Sequence, residues 1–471
     1  MGGIRLTAEG PTSNRPVRHD VVIVGGGFSA ACLAIQLIRQ AHEKLSVAIV
    51  NRDARIGRGV AYRTECDAHI LNVPVAKMSI LPDEPNHFFD WLTQRHPFEG
   101  HHFIPRRIYG EYIEASLDAA ISASNGISIT WITGSAVSLS LNRDGIAVEL
   151  ASGEPLPGRI VVMAIGNSPP VSPTCFASLS PHRYKSNAWA SETPLMIGST
   201  DAVLVVGTGL TAIDQILKLS LEDHAGTVYV LSRRGKLPAL HAPSPAWPSD
   251  WTTDLPSDIR SIFREVRKQV KLASAAGADW RSVIDSLRHA TPRIWQSLSP
   301  QEKKRFVRHV RSYWEIARHR IPASTYNELQ RLIQENRMVL LSGRIGEAIE
   351  CEDYVEVTYS DRDNSETKQL RVDRVINCTG PGTVNRVQDE LLASLLDHHL
   401  ARLDCLGLGI ETGAHGAVIN AQGESSASIF AIGPVRKASL WESTAVPEIR
   451  VQAKELAAVI AARLRAEVNA D

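Results

Sequence analysis

The sequence predicts an α/β protein with two doubly wound, Rossmann-like dinucleotide-binding domains, the second inserted in the first, plus a helical region. Three observations carry this expectation. A strand–glycine turn–helix signal occurs twice, at Gly25 and again at Gly207. Strand signals lie on both sides of the second unit. Residues 255–335 lack strand signals and are rich in Arg, Lys, Trp and Leu at helical spacing. The expected divisions are 1–192 (first part of one dinucleotide domain), 193–336 (the second dinucleotide domain with its helical insertion) and 337–471 (second part of the first domain).

The polar stretch before Asp20 lacks the apolar core and cleavage site of a signal peptide and reads as a mobile leader. Val21-Val22-Ile23-Val24 then forms a continuous apolar run, the mark of a strand buried on both faces. It leads into Gly25-Gly26-Gly27-Phe28-Ser29-Ala30, a G-x-G-x-x-A turn, followed by a helix over 31–41 and a strand over 46–50. Gly25 permits the tight turn, Gly27 lets a pyrophosphate approach the backbone, and Ala30 lets helix and strand pack closely. The second strand ends in Asn51 where a ribose-binding acid is customary. Its amide oxygen can still accept a ribose hydroxyl proton, and Asp53 stands two residues beyond.

The second unit repeats the pattern in Val203-Leu204-Val205-Val206 and Gly207-Thr208-Gly209-Leu210-Thr211-Ala212. Its following strand, 227–231, ends in Ser232-Arg233-Arg234 with no acid. Guanidinium groups there suit a 2′-phosphate and favour NADPH over NADH. Two further apolar strands end in glycine turns at Gly166 and Gly380, where a chain crossing between two such domains would turn.

Helices are expected over 257–276, 279–289 and 299–318. Gly277 closes the first, and Ser299, Pro300 and Glu302 form a capping box at the start of the last. Trp295, Leu298 and Trp314 read as core. Strands resume at 338–341, 354–359 and 374–378, balancing others near 127–150 and 159–164.

Composition excludes several function classes. Lys+Arg equals Asp+Glu at 51 each, so charge points to neither nucleic acid nor an anionic membrane. No apolar run approaches the ~18 residues of a membrane span. The six cysteines form no C-x-x-C pair, which removes a dithiol centre and a zinc ribbon and suits a reducing cytoplasm. His101, His102, His309 and His319 show no metal-ligand spacing, and no G-x-S-x-G elbow is present.

Several less common motifs occur in order: Gly57-Arg58-Gly59-Val60-Ala61-Tyr62, Leu71-Asn72-Val73-Pro74, Phe103-Ile104-Pro105-Arg106 with Tyr109-Gly110, Arg318-His319-Arg320, and 441–450 from Trp441 to Arg450. In these the chain after residue 20 resembles the bacterial FAD/NAD(P)-binding family of hydroxylase-like proteins. That family is similar in layout to the flavin-dependent N-hydroxylating monooxygenases of the lysine and ornithine type, and it includes an aspartate N-monooxygenase that makes nitrosuccinate. The resemblance implies FAD at Gly25, Gly27 and Ala30, with Asn51, Arg58 and Gly166 beside it. Asn72 would run near the isoalloxazine, Gly380 and Gly433 would close the site, and a helix near Thr444 would point at the pyrimidine end. NADPH would sit on Gly207, Gly209, Ala212, Arg233 and Arg234. Arg106, His319, Arg320 and Glu442 are the candidate catalytic residues, with two cations orienting a carboxylated substrate.

The sequence departs from the N-hydroxylating pattern at Asn51 and at Ala164-Ile165-Gly166, where Ala-Thr-Gly is usual. The implied activity is a monooxygenase that uses FAD, NADPH and dioxygen and hydroxylates a small molecule, such as the amine of an amino acid, through a C4a-(hydro)peroxyflavin. An NADPH-dependent reductase without oxygen insertion and a non-catalytic flavin-binding protein are the alternatives.

Overall fold

In a computed structural model, residues 17–41, 44–142, 145–190, 195–382 and 389–468 are described. The expected leader falls mostly outside them.

Two sheets organise the chain. The first has the order 417–419, 425–431, 155–163, 19–24, 45–51, 127–133, and a hairpin of Ala136–Asn142 and Gly145–Leu150 branches from Pro155–Met163. His19–Val24 runs parallel to both Leu45–Asn51 and Pro155–Met163. The alternate residues Val21, Ile23, Val47 and Ile49 pack under the helices Phe28–Gln40, Arg106–Ala123 and Val446–Val468. Val22, Val24, Ala48 and Val50 meet the hairpin and the helix Glu390–Asp397 on the other face. Both faces are covered, so the strands carry no polar alternation, as their valine-rich runs imply.

The second sheet has the order 367–372, 355–361, 338–350, 228–232, 203–206, 374–377, 184–185. It corrects the expected boundary after residue 336. Met338–Glu350 runs parallel to Val228–Ser232, Met338 opposite Val228 and Ser342 opposite Ser232. Arg374–Asn377 lies between Val203–Val206 and Tyr184–Lys185. The strands from 338 to 377 therefore complete the second domain, and the first resumes at the helix Glu390–Asp397. The hydrophobic pattern of a strand states that it is buried but not which sheet buries it.

The helical region differs from expectation in detail. Ile259–Ala275, Trp280–Ser286 and Thr291–Ser297 are separate helices, the last of them unanticipated. The expected helix over 299–318 is interrupted: Pro300–Arg305 passes through a π-helical turn, Phe306–Val310, into Arg311–Arg318. Ser299 accepts a hydrogen bond from the Glu302 amide, but the Glu302 carboxylate does not return to close the box. It takes the Ile259 amide at 2.9 Å and so joins two helices. Trp295 and Leu298 are buried as expected, packed with Phe306 and Trp441. Among the described residues no helix is long and apolar enough to cross a membrane.

A strict backbone constraint in the second domain is Gly207, at φ +114°, where an added Cβ would lie 2.4 Å from the Cys378 carbonyl oxygen. Gly207→Ala should therefore destabilise this domain by about 2–3 kcal/mol. Urea unfolding followed by near-UV circular dichroism checks this. A midpoint within error of wild type contradicts the geometry.

Candidate active site

The two glycine turns are built alike. The Gly25 amide donates to the Val50 carbonyl and the Gly207 amide to the Leu231 carbonyl, both at 2.8 Å. Gly25 has φ +107°, and its missing Cβ leaves room for the Ala164 carbonyl oxygen, as that of Gly207 does for Cys378. Gly27 and Gly209 open the helices Phe28–Gln40 and Leu210–Leu221, with unsatisfied amides at the positive helix end. Beside Gly209 and Gly166 a Cβ would meet nothing within 4 Å, so the backbone faces open space there. A Cβ on Gly27 would touch Gly59 at 3.4 Å, in the gap where a pyrophosphate must approach. Ala30 and Ala212 are completely buried between helix and strand.

Several separate elements meet around the first cradle. Gly433, at φ +77°, abuts Ser29, and its amide donates to the Gln452 side chain at 3.0 Å. The Gly57 amide donates to the Gly26 carbonyl at 2.7 Å and holds the Arg58–Gly59 turn over the glycines. Arg58 makes a two-pronged ion pair with Glu114, at 2.8 and 2.6 Å, so the chain itself engages its guanidinium and Arg58 braces the turn. Asn72 is half-buried, and Thr444 is exposed just before the helix Val446–Val468. Gly380, at φ +85°, lies apart from this cradle: it follows the strand Arg374–Asn377 of the second sheet, on the side of Gly207, and faces open space.

Asn51 explains its own departure from the acid. Its Oδ1 accepts from the Gly26 amide at 3.2 Å, while its Nδ2 donates to the Asp53 and Arg55 carbonyls at 2.7 and 3.1 Å. An amide has both donor and acceptor, whereas a carboxylate has no donor for those two carbonyls. The side chain also fills the space beside Gly26, where a Cβ would lie 2.6 Å from the Asn51 Cγ.

At the second cradle, the Ser232 hydroxyl oxygen accepts from the Gly235 amide and the Thr208 hydroxyl. Arg233 is exposed. Arg234 donates to the Tyr313 hydroxyl at 2.7 Å, with its guanidinium 4.5 Å from the ring centre.

The four candidate catalytic residues do not form one group. Arg106 joins the two domains: it pairs with Asp214, on the helix that follows Gly209, at 2.8 Å, and also donates to the Ile70 carbonyl. Burial pushes the Asp214 carboxyl up to about 6, against the pull of Arg106. Beside it His69 faces the Asp214 carbonyl through Nε2 at 3.0 Å, so Nε2 carries the proton and Nδ1 accepts from the Thr64 hydroxyl at 2.6 Å. Burial and Arg106 drive the His69 pKa down to about 4.

Arg320 pairs with Asp285, and so neither of the two arginines expected to orient a substrate carboxylate is without a protein carboxylate. Glu442 is buried and accepts from Trp314 Nε1 at 2.7 Å, 4.0 Å from Arg318. Arg318 also pairs with Glu448, which Arg288 grips at 2.6 and 2.8 Å. Burial lowers the His319 pKa, partly offset by Glu442. Among the described residues, Arg318 Nε and Arg320 Nη1 are buried donors without a hydrogen-bond partner.

Glu442 follows an unusual turn. Trp441 has φ +61° and ψ −58°, and the Glu442 amide donates back to the Leu440 carbonyl at 2.7 Å. This is a γ-turn, strained for a bulky residue, and it is held by packing of Trp441 on Trp295 and Phe306.

Sequence reasoning missed Asp214, His69, Arg288 and Glu448. A signal existed for Asp214, a carboxylate between Ile213 and Ile216 on the buried face of a helix. Glu99, His101 and His102 lie within 4.8 Å of one another in an exposed loop, a proximity their spacing did not suggest.

Two outcomes follow from this geometry. Asn51→Asp, which restores the customary acid, should weaken flavin retention and lower stability by about 1–2 kcal/mol; flavin content after gel filtration measures it, and tighter retention contradicts the bracing role. Asp214→Asn should lower the melting temperature, since it leaves Arg106 buried without its partner, a loss of about 3 kcal/mol. Its pH dependence has a definite sign. The raised Asp214 pKa makes its contribution fall as pH rises from about 4 to 6, whereas the depressed His69 pKa makes its contribution fall as pH drops from about 6.5 to 4. The two oppose each other in the wild type. The variant should lose stability more steeply on acidification, as a melting series from pH 7 to 4 would show.

Residues 22–168 match a family described as FAD-NAD(P)-binding. No curated protein matches the sequence significantly. Among solved structures, the ornithine N-hydroxylase of Kutzneria sp. 744, with reduced FAD, NADP+ and L-ornithine, is 15% identical at a TM-score of 0.63, covering 95% of this chain and 100% of that one. L-lysine 6-monooxygenase from Pseudomonas syringae is 17% identical at a TM-score of 0.63, with the same coverage. The thioredoxin reductase of T. acidophilum is 13% identical at a TM-score of 0.52, covering 95% and 99%. Residues 22–168 thus resemble an FAD-NAD(P)-binding family, and the chain as a whole shares the fold of these two monooxygenases and of thioredoxin reductase.

Proposed function

We propose that the protein is an FAD- and NADPH-dependent monooxygenase that hydroxylates a small molecule, with an amine nitrogen as the reacting centre. The observation that carries this reading is the pair of like-built glycine cradles, one of them followed by Arg233 and Arg234 at the end of its second strand. The likeness to N-hydroxylating monooxygenases over 95% of the chain supports it. Bound FAD, reduced by NADPH, supplies the oxygen-transfer chemistry; the protein supplies binding, orientation and exclusion of water.

The residues divide that work. Gly25 and Gly27 present backbone to a pyrophosphate at the end of the helix Phe28–Gln40, and Arg233 and Arg234 offer charge to a 2′-phosphate. His319, kept neutral by burial, can accept a hydrogen bond from a substrate amine and orient its nitrogen. Arg318 Nε and Arg320 Nη1, buried donors without a hydrogen-bond partner, are available to a substrate acceptor. Arg106 is a positioning residue between the domains rather than a substrate contact.

The second reading, an NADPH-dependent reductase, draws support from the thioredoxin reductase likeness. The cysteines oppose its dithiol form: none form a C-x-x-C pair, and burial raises the thiol pKa of Cys32 and Cys378.

NADPH oxidation under a screen of amines and amino acids, with product and hydrogen peroxide both measured, separates the readings. Consumption of NADPH with neither oxygen uptake nor hydroxylated product supports the reductase. His319→Ala should keep FAD and its reduction by NADPH but divert turnover to hydrogen peroxide, whereas normal coupling removes His319 from the site. Arg233→Ala with Arg234→Ala should raise the NADPH KM at least tenfold and the NADH KM little, since a charge-assisted bond contributes about 1.5–3 kcal/mol. Equal effects on both cofactors contradict the 2′-phosphate assignment.

A further inference from the structure

The helical region and Trp441 line a partly open apolar chamber. It measures about 210 Å³ and lies among Ile262, Leu287, Trp295, Phe306, Trp314 and Trp441, with Phe263 and Tyr313 partly exposed beside them. Its surface is almost wholly apolar, because its polar groups are turned outward and satisfied. Trp295 Nε1 donates to the Ala438 carbonyl, Trp314 Nε1 to Glu442, and the Thr291 hydroxyl to the Leu287 carbonyl. Whatever enters therefore gains no hydrogen bond from these groups and is held by its apolar area. An apolar cavity of about 150 Å³ holds a benzene ring, so this chamber suits one aromatic ring with a short chain.

The rings that line it carry cations. Lys303 Nζ lies 5.2 Å from the Trp295 ring centre and Lys437 Nζ 5.0 Å from that of Trp441. The Arg267 guanidinium is 5.8 Å from Phe263, and Arg234 and Lys236 both approach Tyr313. Nearby carboxylates are already engaged: Glu302 by Arg305 and the Ile259 amide, Glu442 by Trp314 and Arg318. An apolar interior with cations around it is complementary to a molecule with an apolar end and an anionic head.

We propose that this chamber binds the apolar end of an amphipathic, aryl-bearing carboxylic acid, whose carboxylate rests among Lys303, Arg267 and Lys236. This deepens the oxygenase reading by naming the class of substrate, but the binding site is testable without turnover.

The test is a titration of the FAD-loaded protein, read by tryptophan fluorescence, since Trp295, Trp314 and Trp441 line the chamber. The probes are 3-phenylpropionate, 3-phenylpropylamine and propionate. The proposal expects saturable quenching by 3-phenylpropionate with at least tenfold tighter binding than either comparator. Ala317→Phe, which fills the chamber, should abolish it, and Lys303→Glu should weaken the acid at least threefold and narrow its lead over the amine. Flavin content and flavin reduction by NADPH should be unchanged in both variants. Absence of saturable binding, equal binding of acid and amine, or unchanged binding in Lys303→Glu overturns the proposal. So does a signal that follows protein concentration rather than probe, which means a second copy fills the chamber. If the probe binds as expected but no amine or amino acid is hydroxylated, the oxygenase reading fails and the binding site stands.

Discussion

In both sheets the chain leaves an inner parallel strand at a glycine with φ above +100°, and a carbonyl from the end of a neighbouring strand occupies the space a Cβ would need. This close approach sets the geometry of everything near the cofactor positions. It brings the helix that follows each glycine turn down onto its sheet, with Ala30 or Ala212 buried at the contact, and aims the free amides of that helix at the crevice beyond the strand ends. Equal registers keep the strand ends level: Val24 lies opposite both Val50 and Met163, and Val206 opposite both Leu231 and Asn377. Asn51, the Gly57–Gly59 turn and Gly433 can then reach the first cradle from three separate parts of the chain.

The two domains meet at a buried charge pair, an arrangement that costs desolvation and is kept only if the partners satisfy one another. Burial dominates at Asp214, whose pKa rises despite Arg106, and at His69, whose pKa falls. The three groups tie the start of the helix Arg106–Ala123 to the helix that follows Gly209. Arg106 and His69 thus fasten the first domain to the helix that follows Gly209.

A second set of buried charges lies where the helical region meets the segment before Val446–Val468. Arg288 and Arg318 converge on Glu448, Glu442 is held by Trp314, and the strained Trp441 turn stands between these charges and the apolar chamber. Strain of this kind persists only where surrounding packing over-determines it. Here the Trp295–Trp441–Phe306 cluster does so, fixing the Glu442 side chain on one side of the turn and the chamber wall on the other.

Local chemistry made much of this legible. Two valine-rich runs, each followed by G-x-G-x-x-A, state strand, turn and helix within about fifteen residues, and Arg233 and Arg234 mark the second cradle. Those features depend on neighbours in sequence, so sequence alone determined them. Tertiary structure decided the rest. The strands from 338 to 377 join the second sheet because of parallel partners more than a hundred residues away, at Val228 and Val203. Asn51 braces a turn because Gly26 places a donor, and Asp53 and Arg55 two acceptors, around it. Asp214 and Asp285 stand opposite Arg106 and Arg320, partners that the motifs around those arginines do not name. A side chain's residue type fixes which bonds it can make, but its partner is chosen by elements packed from distant parts of the chain, and a motif carries no record of that choice.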